Sequence, residues 1–86
     1  MKYFVYVLAS EKKKNWYYVG STSDLKQRFK EHTLGKTQST KGFRPLRIIY
    51  SEEYISREEA VNREKYLKSG FGREEKKNII QNSGIV

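Results

Sequence analysis

Tyr6, Tyr18, Arg28, His32 and Glu64 are the side chains of this sequence whose types and order could do chemistry together. Leu25 and Phe29, four apart, set an apolar helical stripe. Arg28 and His32, each three residues after one of them, share its face. An arginine and a histidine at the border of a stripe that faces a sheet are unusual, because arginine is rarely buried unless it is paired or serves a ligand. Glu64 is equally out of place among Ala60, Val61 and Leu67. A carboxylate there snorkels to the edge, pairs with a buried base, or binds a metal ion. Tyr6 and Tyr18 fall in adjacent strands and can be cross-strand neighbours on one face. Two phenols beside a guanidinium, an imidazole and a carboxylate suit phosphoryl chemistry. The cation meets a non-bridging phosphate oxygen, the carboxylate holds a divalent ion, and a phenol handles a proton. Each residue also has a structural reading: sheet tyrosines are ordinary core residues with a polar tip, and an Arg28–Glu64 ion pair would satisfy both helices without any chemistry.

The elements that must position them follow from the pattern of the chain. Met1–Ala9 is apolar on both alternating sets, the mark of a central strand covered on each side. Glu11–Asn15 is a polar turn, and Trp16–Gly20 reads as the hairpin partner of the first strand. Ser21, Thr22 and Ser23 offer N-cap hydroxyls to a helix over Asp24–Thr33, with Asp24 at its positive end and a stop near Gly35. Leu34–Pro45, with two glycines, a proline, small hydroxyl residues and bases, reads as a long functional loop. Leu46–Tyr54 fits a third strand. Ser56 and Glu59 form a capping box for a helix that reaches Lys68 or Ser69 and ends at Gly70. A last short helix runs from Arg73 to about Gln81, followed by a tail over 82–86. The order is β-β-α-β-α-α, an α/β (α+β) fold with a small three-stranded, mostly antiparallel sheet flanked by helices.

Composition excludes several classes. The chain has 86 residues, which predicts a single domain over 1–86 with its core at about 2–80. With no cysteine and one histidine it cannot build a thiolate zinc site, a disulfide scaffold, a cysteine nucleophile or a multi-histidine metal centre. Aromatic residues make up 14 % of the chain, which argues for a folded globule rather than disorder. No apolar run approaches the ~18 residues of a membrane span, and no signal-peptide pattern opens the chain, so a cytoplasmic protein without a membrane partner is expected. The net charge is +8. Residues 1–51 hold eleven bases and three acids, while 52–86 hold seven of each, so the whole surplus lies in the first part. A polyanion is the natural partner of such a field, and nucleic acid is the commonest one. A basic surface kept for solubility is the plain alternative.

At these residues a family resemblance becomes visible. Phe4-Val5-Tyr6 and Tyr18-Val19-Gly20 resemble the two halves of the motif that names the GIY-YIG nuclease family. Arg28 stands ten residues after Tyr18, His32 one helical turn later, and Glu64 within Arg63-Glu64-Lys65, each where that family places functional residues. The match covers roughly residues 2–80 and most resembles small stand-alone members similar to the nuclease domain of an excision-repair endonuclease. Departures are Phe4 in place of the first glycine, and Ser21 where repair-nuclease relatives carry a lysine. Some relatives use an asparagine of the last helix, for which Asn78 is the nearest counterpart.

The resemblance implies a metal-dependent endonuclease that hydrolyses DNA phosphodiester bonds with low sequence specificity, in DNA repair or processing. Glu64 would be the only protein ligand of one Mg²⁺ or Mn²⁺, in keeping with the way Mg²⁺ retains its waters. Tyr18 would act as general base, Tyr6 would orient it, Arg28 would stabilise the phosphorane, and His32 would relay a proton or bind phosphate. An ordinary phenol, with a pKa of ~10, is a poor base at neutral pH, so the site must favour phenolate. Lys12, Lys13 and Lys14 in the hairpin turn, with Lys36, Lys41 and Arg44 in the long loop, fit a DNA track that positions the duplex without reading its sequence. Specificity would have to come from a partner protein, and double-strand cutting from a homodimer or two successive nicks. A non-catalytic nucleic-acid-binding module of the same fold, or a protein-interaction domain for an acidic partner, are the competing readings.

Overall fold

The computed structural model describes residues 1–83. It contains β1 (Tyr3–Ser10), β2 (Tyr17–Thr22), α1 (Leu25–Thr33), α2 (Gln38–Lys41), β3 (Leu46–Tyr54), α3 (Arg57–Lys68) and α4 (Arg73–Ser83). Residues 84–86 of the expected tail lie outside the described residues, and α4 runs past Gln81 to Ser83.

The doubly apolar pattern of the first strand has its expected consequence. β1 is the middle strand of an antiparallel sheet of order β2-β1-β3, and Val5, Tyr6, Val7 and Leu8 are at most 1 % exposed. Its odd residues serve one face. Val5 and Val7 join Val19 of β2 and Ala60 and Leu67 of α3 in the buried core, and Tyr3, Tyr17, Ile49, Tyr50, Tyr54 and Ile79 pack around it. Each fully buried aliphatic side chain there contributes about 1.5–3 kcal/mol relative to exposure. The even residues Tyr6 and Leu8 point to the other face, where Tyr6 meets His32 of α1.

Helix ends follow local chemistry, with one change from expectation. β2 continues through Ser21 and Thr22, so those hydroxyls belong to the sheet edge and not to a cap. Asp24 is itself the N-cap, its carboxylate accepting from the Gln27 amide at 3.0 Å. Ser56 caps α3 as its sequence predicts, accepting from the Glu59 amide at 3.1 Å. Gly35 follows α1 at φ +79°, a conformation that favours glycine.

The stretch expected as a long loop is better ordered than its composition suggests. It contains the one-turn helix α2, and it is tied to the β1–β2 hairpin at its far end. There Ser10 donates to the Phe43 carbonyl at 2.6 Å, the Glu11 amide donates to the Pro45 carbonyl at 2.9 Å, and Trp16 stacks on Phe43 with centroids 4.1 Å apart. Trp16, expected to open the second strand, instead precedes it and anchors this segment. The loop that holds Lys36, Lys41 and Arg44 is thereby fixed to the turn that holds Lys12, Lys13 and Lys14.

Candidate active site

Strand register brings the two phenols together. Tyr6 pairs with Gly20, and Leu8 with Tyr18, so Tyr6 and Tyr18 are diagonal neighbours on the even face with ring centroids 6.4 Å apart. Gly20 is needed for this closeness: a Cβ there would sit 2.5 Å from the Tyr6 hydroxyl oxygen and 3.0 Å from the Tyr18 ring. The Tyr-Val-Gly triplet thus places a phenol and, two residues on, the gap that a second phenol fills.

α1 supplies the imidazole and the guanidinium. The sequence puts His32 at the border of the stripe; in the structure it is the buried residue of α1, with no exposed surface, while Leu25 and Phe29 stay partly exposed. A polar ring can occupy that position because both of its nitrogens find partners. Nε2 lies 2.9 Å from the Tyr6 hydroxyl and Nδ1 2.8 Å from the Thr40 hydroxyl. Its ring stands edge-on to those of Tyr6 and Tyr18, at 5.8 and 5.4 Å. Burial, and then the Arg28 charge, lower the His32 pKa against the pull of Glu31, so the imidazole is neutral at pH 7.

Burial likewise pushes the Tyr6 hydroxyl up to about 12, although Arg28 beside it acts in the opposite sense. Tyr6 is therefore a protonated phenol at neutral pH. Arg28 ion-pairs with Glu31 one turn away at 3.1 Å, and 36 % of its side chain remains exposed. Tyr6 and Glu31 both raise its pKa, against the effect of burial.

Glu64 approaches from α3, on the opposite sheet face, and reaches the same edge strand. Its Oε1 accepts from the Ser21 hydroxyl at 2.5 Å, and its Oε2 lies 2.7 Å from the Lys68 ammonium. Lys68 also stands 5.4 Å from the centroid of the Tyr18 ring, so one ammonium touches both the carboxylate and the phenol that the sheet would otherwise separate. The Arg28–Glu64 ion pair offered by the spacing is not formed: each charge has a different partner. The five residues are brought to one edge, with Tyr6, Tyr18, Arg28 and His32 on one face of β2 and Glu64 on the other. Asn78 is exposed on α4.

Lys68, Ser21 and Thr40 complete this arrangement, and the sequence reading assigns none of them a role. The Glu64–Lys68 spacing of four is a recognisable helical pair. Ser21 appears there only as a missing lysine, and nothing in its surroundings marks Thr40 among the small hydroxyl residues of its segment.

Among the described residues no three His, Cys, Asp or Glu side chains converge on a metal position. Glu64 still fits a single hard cation. It is one carboxylate, 22 % exposed, that already holds a mobile ammonium on one oxygen, and Mg²⁺ asks for little more than one or two carboxylates and water.

The expected nucleic-acid contacts divide. Lys12, Lys41 and Arg44 line one shallow groove with Gln38 and Gly42. Lys13, Lys14 and Lys36 are outside it. Arg44 is partly committed to the fold, since its Nε donates to the Lys41 carbonyl at 3.0 Å and its guanidinium lies over Gly35.

Comparison with known proteins agrees with this geometry. The family profile described as GIY-YIG catalytic domain matches residues 2–78. A UPF0213 protein of Limosilactobacillus reuteri is 35 % identical over 82 residues, covering 92 % of this chain and 83 % of that one. The UPF0213 protein SH2523 of Staphylococcus haemolyticus is 35 % identical over 81 residues, covering 93 % and 95 %. The solution NMR structure of the UPF0213 protein BH0048 from Bacillus halodurans superposes with a TM-score of 0.58 at 31 % identity, covering 99 % of this chain and 89 % of that one. A profile match over nearly the whole chain, with such relatives along almost its full length, makes this chain a member of the GIY-YIG catalytic domain family.

Proposed function

We propose that this chain is a divalent-metal-dependent endonuclease that hydrolyses DNA phosphodiester bonds with little sequence preference. GIY-YIG proteins form a nuclease family that generally depends on divalent metal ions. The observation that carries the reading here is the separation of Glu64 from Arg28. A structural pair would cancel the two charges; instead the carboxylate stands at the β2 edge on Ser21 and Lys68, and the guanidinium stands beside Tyr6. An anion and a cation held apart along one exposed edge suit a phosphodiester and its metal ion.

The roles follow from the surroundings of each group. Glu64 would hold the ion, Mg²⁺ or Mn²⁺, which when bound supplies charge stabilisation to the phosphate oxygens. Tyr6, protonated and buried, cannot be the base; it braces the site through His32. Tyr18, less buried and facing the edge, is the phenol left to take a proton from the attacking water as the P–O bond to the departing alkoxide breaks. Arg28 neutralises charge that grows on the phosphorane oxygens. The groove of Lys12, Lys41 and Arg44 carries the flanking backbone, each neutralised phosphate adding about −0.9 to the log–log salt slope.

Nicking of supercoiled plasmid in Mg²⁺ or Mn²⁺ tests this. Wild type should nick, and Glu64→Ala and Tyr18→Phe should not. Equal activity in wild type and Glu64→Ala would expose a contaminant and remove the catalytic reading, whereas a salt-sensitive gel shift with no cutting would make the domain a binding module.

A further inference from the structure

His32 and Thr40 are the buried polar residues among the described residues, neither has any exposed surface, and they are hydrogen-bonded to each other. They continue a line that starts at Tyr6 and ends in the basic segment, where the Thr40 hydroxyl lies 3.5 Å from the Thr37 carbonyl. The proton positions along this line follow from satisfaction of donors. Tyr6 is a protonated phenol with 1 % exposure, so its single hydrogen must meet an acceptor inside the protein. Arg28, its charged neighbour, can only donate. The acceptor in reach is His32 Nε2. A neutral imidazole that accepts at Nε2 carries its hydrogen on Nδ1, and that hydrogen points to the Thr40 oxygen. The Thr40 hydroxyl hydrogen is then free for the Thr37 carbonyl. Reversing the chain would leave the buried Tyr6 hydrogen with no acceptor.

We propose that Thr40 is a positioning residue of the site: it holds His32 as the Nδ1–H tautomer, which in turn fixes the Tyr6 hydroxyl as a donor to Nε2 and keeps the Tyr6 oxygen open to Arg28. Thr40 precedes Lys41, which lines the basic groove, so the same turn of helix carries a nucleic-acid contact and the end of the hydrogen-bond line. The catalytic part of this inference rests on the nuclease reading above; the tautomer does not.

Two measurements test it separately. Long-range ¹H–¹⁵N spectra of the whole protein at neutral pH should show His32 protonated on Nδ1 and bare on Nε2. Thr40→Ser should keep that pattern, and Thr40→Val, which preserves shape but removes the hydroxyl, should move hydrogen to Nε2. Plasmid nicking should fall about 10–100-fold in Thr40→Val and recover in Thr40→Ser, the order of effect found when the outer partner of a site histidine is removed. A wild-type His32 carrying its hydrogen on Nε2 overturns the proposal even if Thr40→Val does not fold. So does a folded Thr40→Val that retains the Nδ1–H tautomer, or one that nicks at the wild-type rate. If wild type does not nick at all while the tautomer follows Thr40 as described, the nuclease reading fails and the Thr40–His32–Tyr6 line stands as a structural device.

Discussion

Two clusters in this small domain are built from the same kinds of side chain, and they are used in opposite ways. On the core face, Glu52 takes both nitrogens of an Arg63 fork at 2.9 Å, the Tyr54 hydroxyl at 2.7 Å and the Tyr50 hydroxyl, while Arg63 also pairs with Glu75. At the β2 edge, Tyr6, Tyr18, Arg28 and Glu64 repeat the inventory of two phenols, a guanidinium and a carboxylate. In the first cluster the base and the acid are locked together, and both carboxylate oxygens are fully engaged. In the second the acid and the base are held apart, the acid by a hydroxyl and a mobile lysine. Burial of Glu52 favours its protonated form, but Arg63 and the two phenols outweigh it and lower the carboxyl pKa. Burial and then Glu52 raise both phenols, Tyr54 to about 12. Charges that saturate each other hold a fold together. Charges kept apart at an edge are available to a ligand.

Exchanging the two carboxylates for amides is the sharpest way to break this comparison. Glu64→Gln should reduce metal-dependent nicking to background and leave the melting temperature near that of wild type; a large drop in melting temperature would place Glu64 with the structural cluster. Next in size, Arg28→Ala should slow nicking about 10²–10³-fold, as loss of a charge-stabilising donor does, with gel-shift affinity little changed. Glu52→Gln should do the reverse, costing about 1–3 kcal/mol in denaturant unfolding because a partly buried guanidinium loses its counter-ion, with nicking per folded molecule unaltered.

The same variant carries a pH signature. Because the folded Glu52 carboxyl lies below its ordinary value, its contribution is present above the usual carboxylate range and is lost as pH falls through the folded pKa. The wild-type stability curve should therefore drop more steeply in acid than that of Glu52→Gln, and parallel curves would count against the cluster. The smallest effect belongs to the groove: Lys41→Ala should flatten the log–log salt slope of DNA binding by about 0.9, with no change in melting temperature.

Legibility in the sequence differs between these clusters for a physical reason. Arg28 and Glu64 stand out because each interrupts an apolar stripe, and their helices, caps and spacing are all local properties. The same logic cannot choose between an ion pair and a separated couple, since that depends on which sheet face each helix covers. Glu52 carries no such mark. It lies in a strand with an ordinary mixture of polar and apolar residues, and its partner Arg63 is eleven residues away on another element. His32 is legible as a candidate but not in its depth of burial, because Thr40, which makes that burial tolerable, comes from a segment whose composition reads as loop.

By itself the amino-acid sequence determines the alternation that makes β1 central, the capped starts of the long helices, the basic bias of the first fifty-one residues, and the Tyr-Val-Gly spacing that lets one phenol lie across a gap from another. All of these are set by neighbours within a turn or a strand. Only the tertiary structure decides that Glu64 meets Ser21 and Lys68 instead of Arg28, that His32 is sealed between Tyr6 and Thr40, and that Glu52 is the saturated acid. Those outcomes depend on sheet order and on the register between β1 and β2, where contacts across many residues of chain choose among pairings that local chemistry leaves equal.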